Sequence, residues 1–300
     1  MAGIRERLLR AIALNREPGF HFVGNFAEVS FERTASEESR VTMSAAAHCV
    51  DPDGQVNLGL VAMLADMALA ASIRANVHPG SRLATVSMSL QLTGTPLEGQ
   101  LESVAEFQGF LGAGDTRQGL SRARLYGSGG AVAIAQGAFV PLPPPPGVAQ
   151  FPLPRNPRTA PPLAESDLNA EERKILKRAE AALADGDTGF IARFLGYEPR
   201  KTKTGASTTM ANGAHVGNRV GHVQGGLLMG LAAATAVAAM PARWGLSAIH
   251  AVFTSPGQGK ALRARAKVLH HGSMTGLART EVSGPDGRRV LEATTTHWRR

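Results

Sequence analysis

Three hundred residues with 43% hydrophobic content are enough for about two globular cores, and the single cysteine, Cys49, excludes an internal disulfide and a cysteine-rich zinc site and fits a reducing cytoplasm. The formal charge of +8 is uneven: residues 1–150 carry 11 Lys/Arg against 13 Asp/Glu, and residues 151–300 carry 21 against 11. That basic half suits a phosphorylated small ligand better than nucleic acid, because two Trp and two Tyr leave few stacking platforms.

In chain order, an amphipathic helix is predicted over Arg5 to Arg16; the N-terminus carries acids and lacks an apolar signal core. A strand follows over Arg40 to Cys49, then a glycine-containing turn, then a long apolar helix starting at Asn57-Leu58-Gly59. Strands are expected at Leu83 to Leu92, Leu101 to Phe107, Leu120 to Tyr126 and Ala131 to Val140. Residues Pro141 to Pro162 hold ten of the 18 prolines, so a semi-rigid surface linker is expected over 141–163. The plan then repeats: a helix over Asp167 to Ala184, a strand over Ser207 to Val216, and a second apolar helix after Gln224-Gly225-Gly226. Four more strands follow, at Ser247 to Thr254, Leu262 to Leu269, Leu277 to Val282 and Arg289 to Trp298. Turns such as Gly127-Ser128-Gly129-Gly130 and Pro285-Asp286-Gly287 make these strands consecutive, hence antiparallel.

The repeat has one offset through its central part. His48, Asp51, Gly54, Asn57 and Gly59 correspond to His215, Asn218, Gly221, Gln224 and Gly226, each 167 residues on. The expected architecture is α+β, with an N-terminal domain over 1–140 and a C-terminal domain over 164–300. Each is an antiparallel sheet covered by one apolar helix. Those helices are apolar nearly all round, so each must also be covered by the other half. Neither is an uninterrupted apolar run long enough to span a membrane.

Asp66 is the sole acid in either helix, and Ala233 takes its place in the second. A lone carboxylate is costly to bury, and an apolar setting raises its pKa. A structural alternative is a buried acid satisfied by a neighbouring hydroxyl or by an arginine such as Arg82. Glycines at a helix start also have two readings: a tight entry turn, or first-turn N–H groups left free for an anion or a polarised carbonyl. Asp66 is eight residues after Leu58, roughly 12 Å along its own helix, so one reacting carbon cannot touch both. If the helices run antiparallel, Asp66 instead meets Gly225 and Gly226, whereas Leu58 and Gly59 meet only Ala233. One complete site and one incomplete site are expected.

The second copy, Asn218-x-x-Gly221-x-x-Gln224-Gly225-Gly226 followed by Leu231-Ala232-Ala233, resembles the hotdog-fold acyl-CoA thioesterases of the phenylacetate-pathway and 4-hydroxybenzoyl-CoA type. The first copy, Asp51-x-x-Gly54-x-x-Asn57-Leu58-Gly59 followed by Leu64-Ala65-Asp66, resembles them in turn, so the chain resembles two tandem hotdogs forming a pseudo-dimer. The resemblance implies hydrolysis of a thioester to an acid and coenzyme A. Asp66 would act as nucleophile or general base and the Gly225 N–H as oxyanion donor. Gln224 would stand near the thioester at a position more often His, Asn218 at the start of the motif, and Thr85 would orient the water or the acid.

Gly226 completes the expected substrate-binding turn. Arg263 and Arg265, alternating with Ala264 and Ala266, have two readings: a solvated strand face or contacts to coenzyme A phosphates. His48 and His215 are expected to be structural, and no metal or separate cofactor is called for. Partners implied are an acyl-CoA or other thioester and further copies of the chain, with no nucleic acid or membrane. The alternatives are a non-catalytic acyl-CoA-binding hotdog, which would not need the buried acid, and a hydratase or dehydratase, for which no Asp-to-His motif is present.

Overall fold

The computed structural model describes residues 2–17, 19–143, 153 and 159–299. The first half runs α1 (Ala2–Arg16), α2 (Phe22–Phe26), β1 (Ser30–Thr34), β2 (Glu38–Met43), α3 (Leu58–Arg74), β3 (Arg82–Leu92), β4 (Leu101–Leu111), β5 (Gln118–Gly127) and β6 (Gly130–Leu142). The second runs α4 (Ala170–Leu183), α5 (Phe190–Leu195), β7 (Arg200–Thr202), β8 (Gly205–Ala211), α6 (Gly225–Ala239), β9 (Trp244–Phe253), β10 (Ala261–His271), β11 (Thr275–Ser283) and β12 (Arg289–Arg299). The two lists match element for element. Most of the Pro-rich stretch expected over 141–163 lies outside the described residues.

All twelve strands form one antiparallel sheet, in the order β1-β2-β4-β5-β6-β3-β9-β12-β11-β10-β8-β7. The halves join where β3 pairs with β9, from Ser87 opposite Val252 to Gln91 opposite Ala248. Both central helices lie against this sheet and against each other. They are antiparallel: a Cβ on Gly226 would strike the Met63 backbone, and one on Gly230 would strike Gly59. Small residues bring the two backbones together, and seam and sheet together bury 14 of 17 residues of α3 and 10 of 15 of α6. A second link joins the ends of α1 and α4, where the Arg16 guanidinium donates to both oxygens of Glu172 at 2.7 Å. Glu172 also closes the capping box of α4 with Asn169.

Two expected strands end early. β2 stops at Met43 and β8 at Ala211, and the following residues turn instead, with Cys49 N–H bonded to Ala46 O and Val216 N–H to Gly213 O. The alanines and glycines after each strand have no alternating pattern to hold them in a ladder. The turns carry His48 and His215 inward, where each meets a phenylalanine edge-on: Phe26 for His48 and Phe194 for His215. Helices α2 and α5, and strands β1 and β7, were not anticipated from the sequence. They are three to six residues long, too short to show a period. Among the described residues no helix is long and apolar enough to cross a membrane.

Candidate active site at the tip of the second central helix

α6 starts at Gly225 because Gln224 caps it: the Gln224 side-chain oxygen accepts from Leu227 N–H at 3.0 Å. The other end of that amide, Nε2, donates to Asp66 Oδ2 at 2.7 Å. One side chain thus fixes a helix start in one half and a carboxylate in the other. Thr85 on β3 donates to the second oxygen, Oδ1, at 2.9 Å. Asp66 is only 7% exposed. Burial raises its pKa to about 6, against the opposing pull of hydrogen bonds from Thr85, Gln224 and the Gly226 backbone. Arg82 makes no bond to it, so the carboxylate is held by neutral donors and keeps a base's proton affinity near neutral pH.

The first turn of α6 has three amides without helical acceptors. Leu227 N–H goes to the Gln224 cap, and the Gly226 backbone favours the ionised form of Asp66. Among the described residues Gly225 N–H has no acceptor. A Cβ on Gly225 would sit 3.3 Å from both Asp66 Oδ2 and Thr85 Oγ1, so glycine keeps open the space between that amide and the carboxylate. An amide at the positive end of a helix facing a buried base suits a carbonyl that gains negative charge.

This space belongs to a cavity of about 630 Å³. Asp66, Thr85, Gln224, Gly225 and Asn218 all line it. Asn218 spends its side-chain oxygen on Val220 N–H and His222 N–H, so it shapes the loop before α6. Gly226 is not part of the lining; it lies in the helix seam. Arg263 and Arg265 are not brought to the cavity. They stand on the outer face of β10, Arg265 opposite Glu281 and Ser207, and line a separate, smaller hollow. The cations that do line the cavity are Arg74, Arg82 and Arg219; His21 and His222 line it too, and burial lowers the pKa of both. Of these, sequence reasoning named only Arg82, as a possible partner of Asp66; Arg74 at a helix end and Arg219, His21 and His222 outside regular elements were missed, because side-chain direction there has no period. Phe31, also in the lining, belongs to the unanticipated β1, and Phe20 just precedes the unanticipated α2.

The equivalent tip in the first half is closed. Asn57 caps α3 through Gly59 N–H, as Gln224 caps α6, but its amide donates to Asp51 at 2.9 and 3.1 Å. Tyr197 packs over the tip: a Cβ on Gly59 would come within 2.6 Å of its ring and hydroxyl. The Tyr197 hydroxyl donates to Leu227 O at 2.5 Å, and no acid faces it from Ala233. Cys49 is buried and its thiol pKa is pushed up, which leaves it unreactive.

No protein-family model and no curated protein matches the chain. Solved structures do. A tesB protein of Mycobacterium avium subs paratuberculosis superposes with a TM-score of 0.54 at 13% identity, over 90% of this chain and 96% of that one. A 12:0-ACP thioesterase from Umbellularia californica gives 0.53 at 10%, over 88% and 94%. A conserved protein with a hot dog fold from Alicyclobacillus acidocaldarius gives 0.52 at 11%, over 89% and 97%. At these identities the likeness is one of fold. The chain has the hotdog fold twice, as one α+β pseudo-dimer.

Proposed function

We propose that this protein is a thioester hydrolase acting on acyl-CoA or a similar thioester, with one working site per chain. The observation that carries this reading is the buried Asp66 carboxylate of the first half beside Gly225 of the second, whose N–H has no acceptor among the described residues, in an open cavity. The likeness in fold to a protein described as a 12:0-ACP thioesterase supports it. Residues 1–140 would supply the acid and residues 164–300 the oxyanion turn. Coenzyme A would enter as part of the substrate, and no separate cofactor has a role. A cytoplasmic setting fits the single, buried cysteine, and further association of these pseudo-dimers is part of the same reading.

In this mechanism Asp66 takes a proton from a water, and the oxygen adds to the thioester carbon. Negative charge collects on the carbonyl oxygen, where Gly225 N–H receives it. The carbon–sulfur bond then breaks, and the proton on Asp66 passes to the departing sulfur. Gln224 and Thr85 hold the carboxylate by one oxygen each. A proton affinity near neutral pH favours the base role over direct attack. Label found in Asp66 after single-turnover hydrolysis in 18O-water would identify direct attack, since the base route cannot place it there.

The test of the reading is D66N against a panel of acyl-CoA thioesters. Loss of the general base lowers kcat by about 100-fold or more. Unchanged hydrolysis of every accepted thioester by D66N would remove the assignment.

A further inference from the structure

Asp66 is the sole carboxylate among the residues lining the cavity, yet three guanidinium groups line it too. Arg74 ends α3 and donates to Ser81 O at 2.8 Å, so it closes the connection that Arg82 terminates. Among the described residues no carboxylate lies within ion-pair distance of Arg74 or Arg82. Arg82 Nε is buried and has no hydrogen-bond partner. Arg219 comes from the loop before α6, and both burial and the nearby Arg74 charge lower its pKa. For Arg74 and Arg82, half-buried in a mostly apolar cavity, a guanidinium without a counter-charge is costly unless an anion joins it.

We propose that Arg74, Arg82 and Arg219 form a subsite for an anionic group carried by the substrate. The inference rests on the thioester reading of Asp66 and names what that thioester carries. Arg74 lies eight residues beyond Asp66 on the same helix, roughly 12 Å away. Arg82 lies three residues before Thr85 on β3, about 10 Å away. An extended chain of about nine bonds covers that span. Arginine's planar fork suits carboxylate and phosphate alike. The anion is therefore an oxyanion with two sources: a carboxylate at the far end of the acyl group, or a phosphate on the leaving thiol.

Four thioesters distinguish these sources: decanoyl and decanedioyl groups, each on coenzyme A and on uncharged N-acetylcysteamine. R82M is expected to raise KM about tenfold or more for thioesters whose anion uses the subsite, with a much smaller change for decanoyl-N-acetylcysteamine. R82K, which keeps the charge, recovers part of the loss. An effect on decanedioyl-N-acetylcysteamine assigns the acyl carboxylate; an effect confined to the coenzyme A thioesters assigns the phosphate. R219M, at an exposed position, is the second variant should R82M fold poorly. Equal KM changes for all four thioesters, or none, overturn the proposal.

Calorimetric titration of the D66N protein with decanedioate and with free coenzyme A gives a readout independent of turnover. If the native enzyme hydrolyses none of the four but anion binding is lost on adding R82M, the hydrolase reading fails and the subsite stands. If hydrolysis proceeds without charge discrimination and no binding depends on Arg82, the subsite alone fails.

Discussion

The proton affinity of Asp66 is set by three donors working against burial. Each hydrogen bond from Thr85, Gln224 and Gly226 favours the carboxylate, and desolvation outweighs them enough to leave the pKa at about 6. Catalysis by the ionised form is therefore expected to rise with pH through about 6 and to level off above 7. T85V removes one donor at nearly constant volume, so the carboxylate loses support and the midpoint of the pH–rate curve moves up by about one pH unit. A midpoint unmoved in T85V would show that the hydroxyl does not stabilise the ionised form. The sign for folding runs the other way. A carboxyl whose folded pKa is raised holds its proton longer than the unfolded chain does. Its ionisation lowers stability as pH climbs from about 4 to about 6, by about 3 kcal/mol at most. The acid is thus kept at a cost to stability, which suits a functional group better than a structural one. Asp66 itself was legible in the sequence because a single charge interrupts an apolar helix. Arg82 was legible only as a possible partner of Asp66, and Arg74 and Arg219 were not legible, since a guanidinium at a helix end or in a loop is ordinary until the fold shows what faces it.

Between elements, the α3–α6 seam decides where the carboxylate sits. The rise of a helix was enough to rule out a site within one helix and to require an antiparallel partner. The contact pairs Gly226 with Met63 and Gly230 with Gly59 have that arrangement. The closeness of the seam was less visible, because a glycine in a sequence does not reveal which backbone approaches it. A Cβ at Gly226 would sit 2.3 Å from Met63 N and 2.5 Å from Ala62 C. These are backbone atoms that cannot swing aside. G226A must therefore push the helices apart, and urea unfolding is expected to show a loss of about 1–3 kcal/mol. Because the Gly226 backbone also favours the ionised form of Asp66, G226A should slow turnover more than G230A, which meets Gly59 Cα at 2.3 Å at the closed tip. Equal stability of G226A and the native protein would mean that the seam is looser than these contacts require.

Over the whole molecule, duplication supplied two tips and the chain kept one open. The fixed 167-residue offset made the repeat legible, and Ala233 marked the half that lacks an acid. What closes the lesser tip was hidden, because Tyr197 follows a short helix with no periodic signal, and its ring is placed only by the fold. The pseudo-symmetry persists in the core even where it is lost at the sites. His48 and His215 are both buried against phenylalanine edges, and burial holds each pKa at about 3. Neither Nε2 has a hydrogen-bond partner, so neither ring is placed to accept a stabilised charge. In the unfolded chain both would protonate near 6.5. A histidine with a lowered folded pKa contributes stability that is complete above its unfolded pKa and falls away as pH drops toward the folded one. Between pH 6.5 and 5 that amounts to about 2 kcal/mol per histidine. The shared sheet couples the halves, so thermal unfolding is expected as one transition whose midpoint falls as pH is lowered from 7 to 5. The double variant H48Q/H215Q, measured over the same range, should show a shallower dependence even if its midpoint at pH 7 is lower. A slope equal to that of the native protein would assign the acid sensitivity to groups outside this paired core.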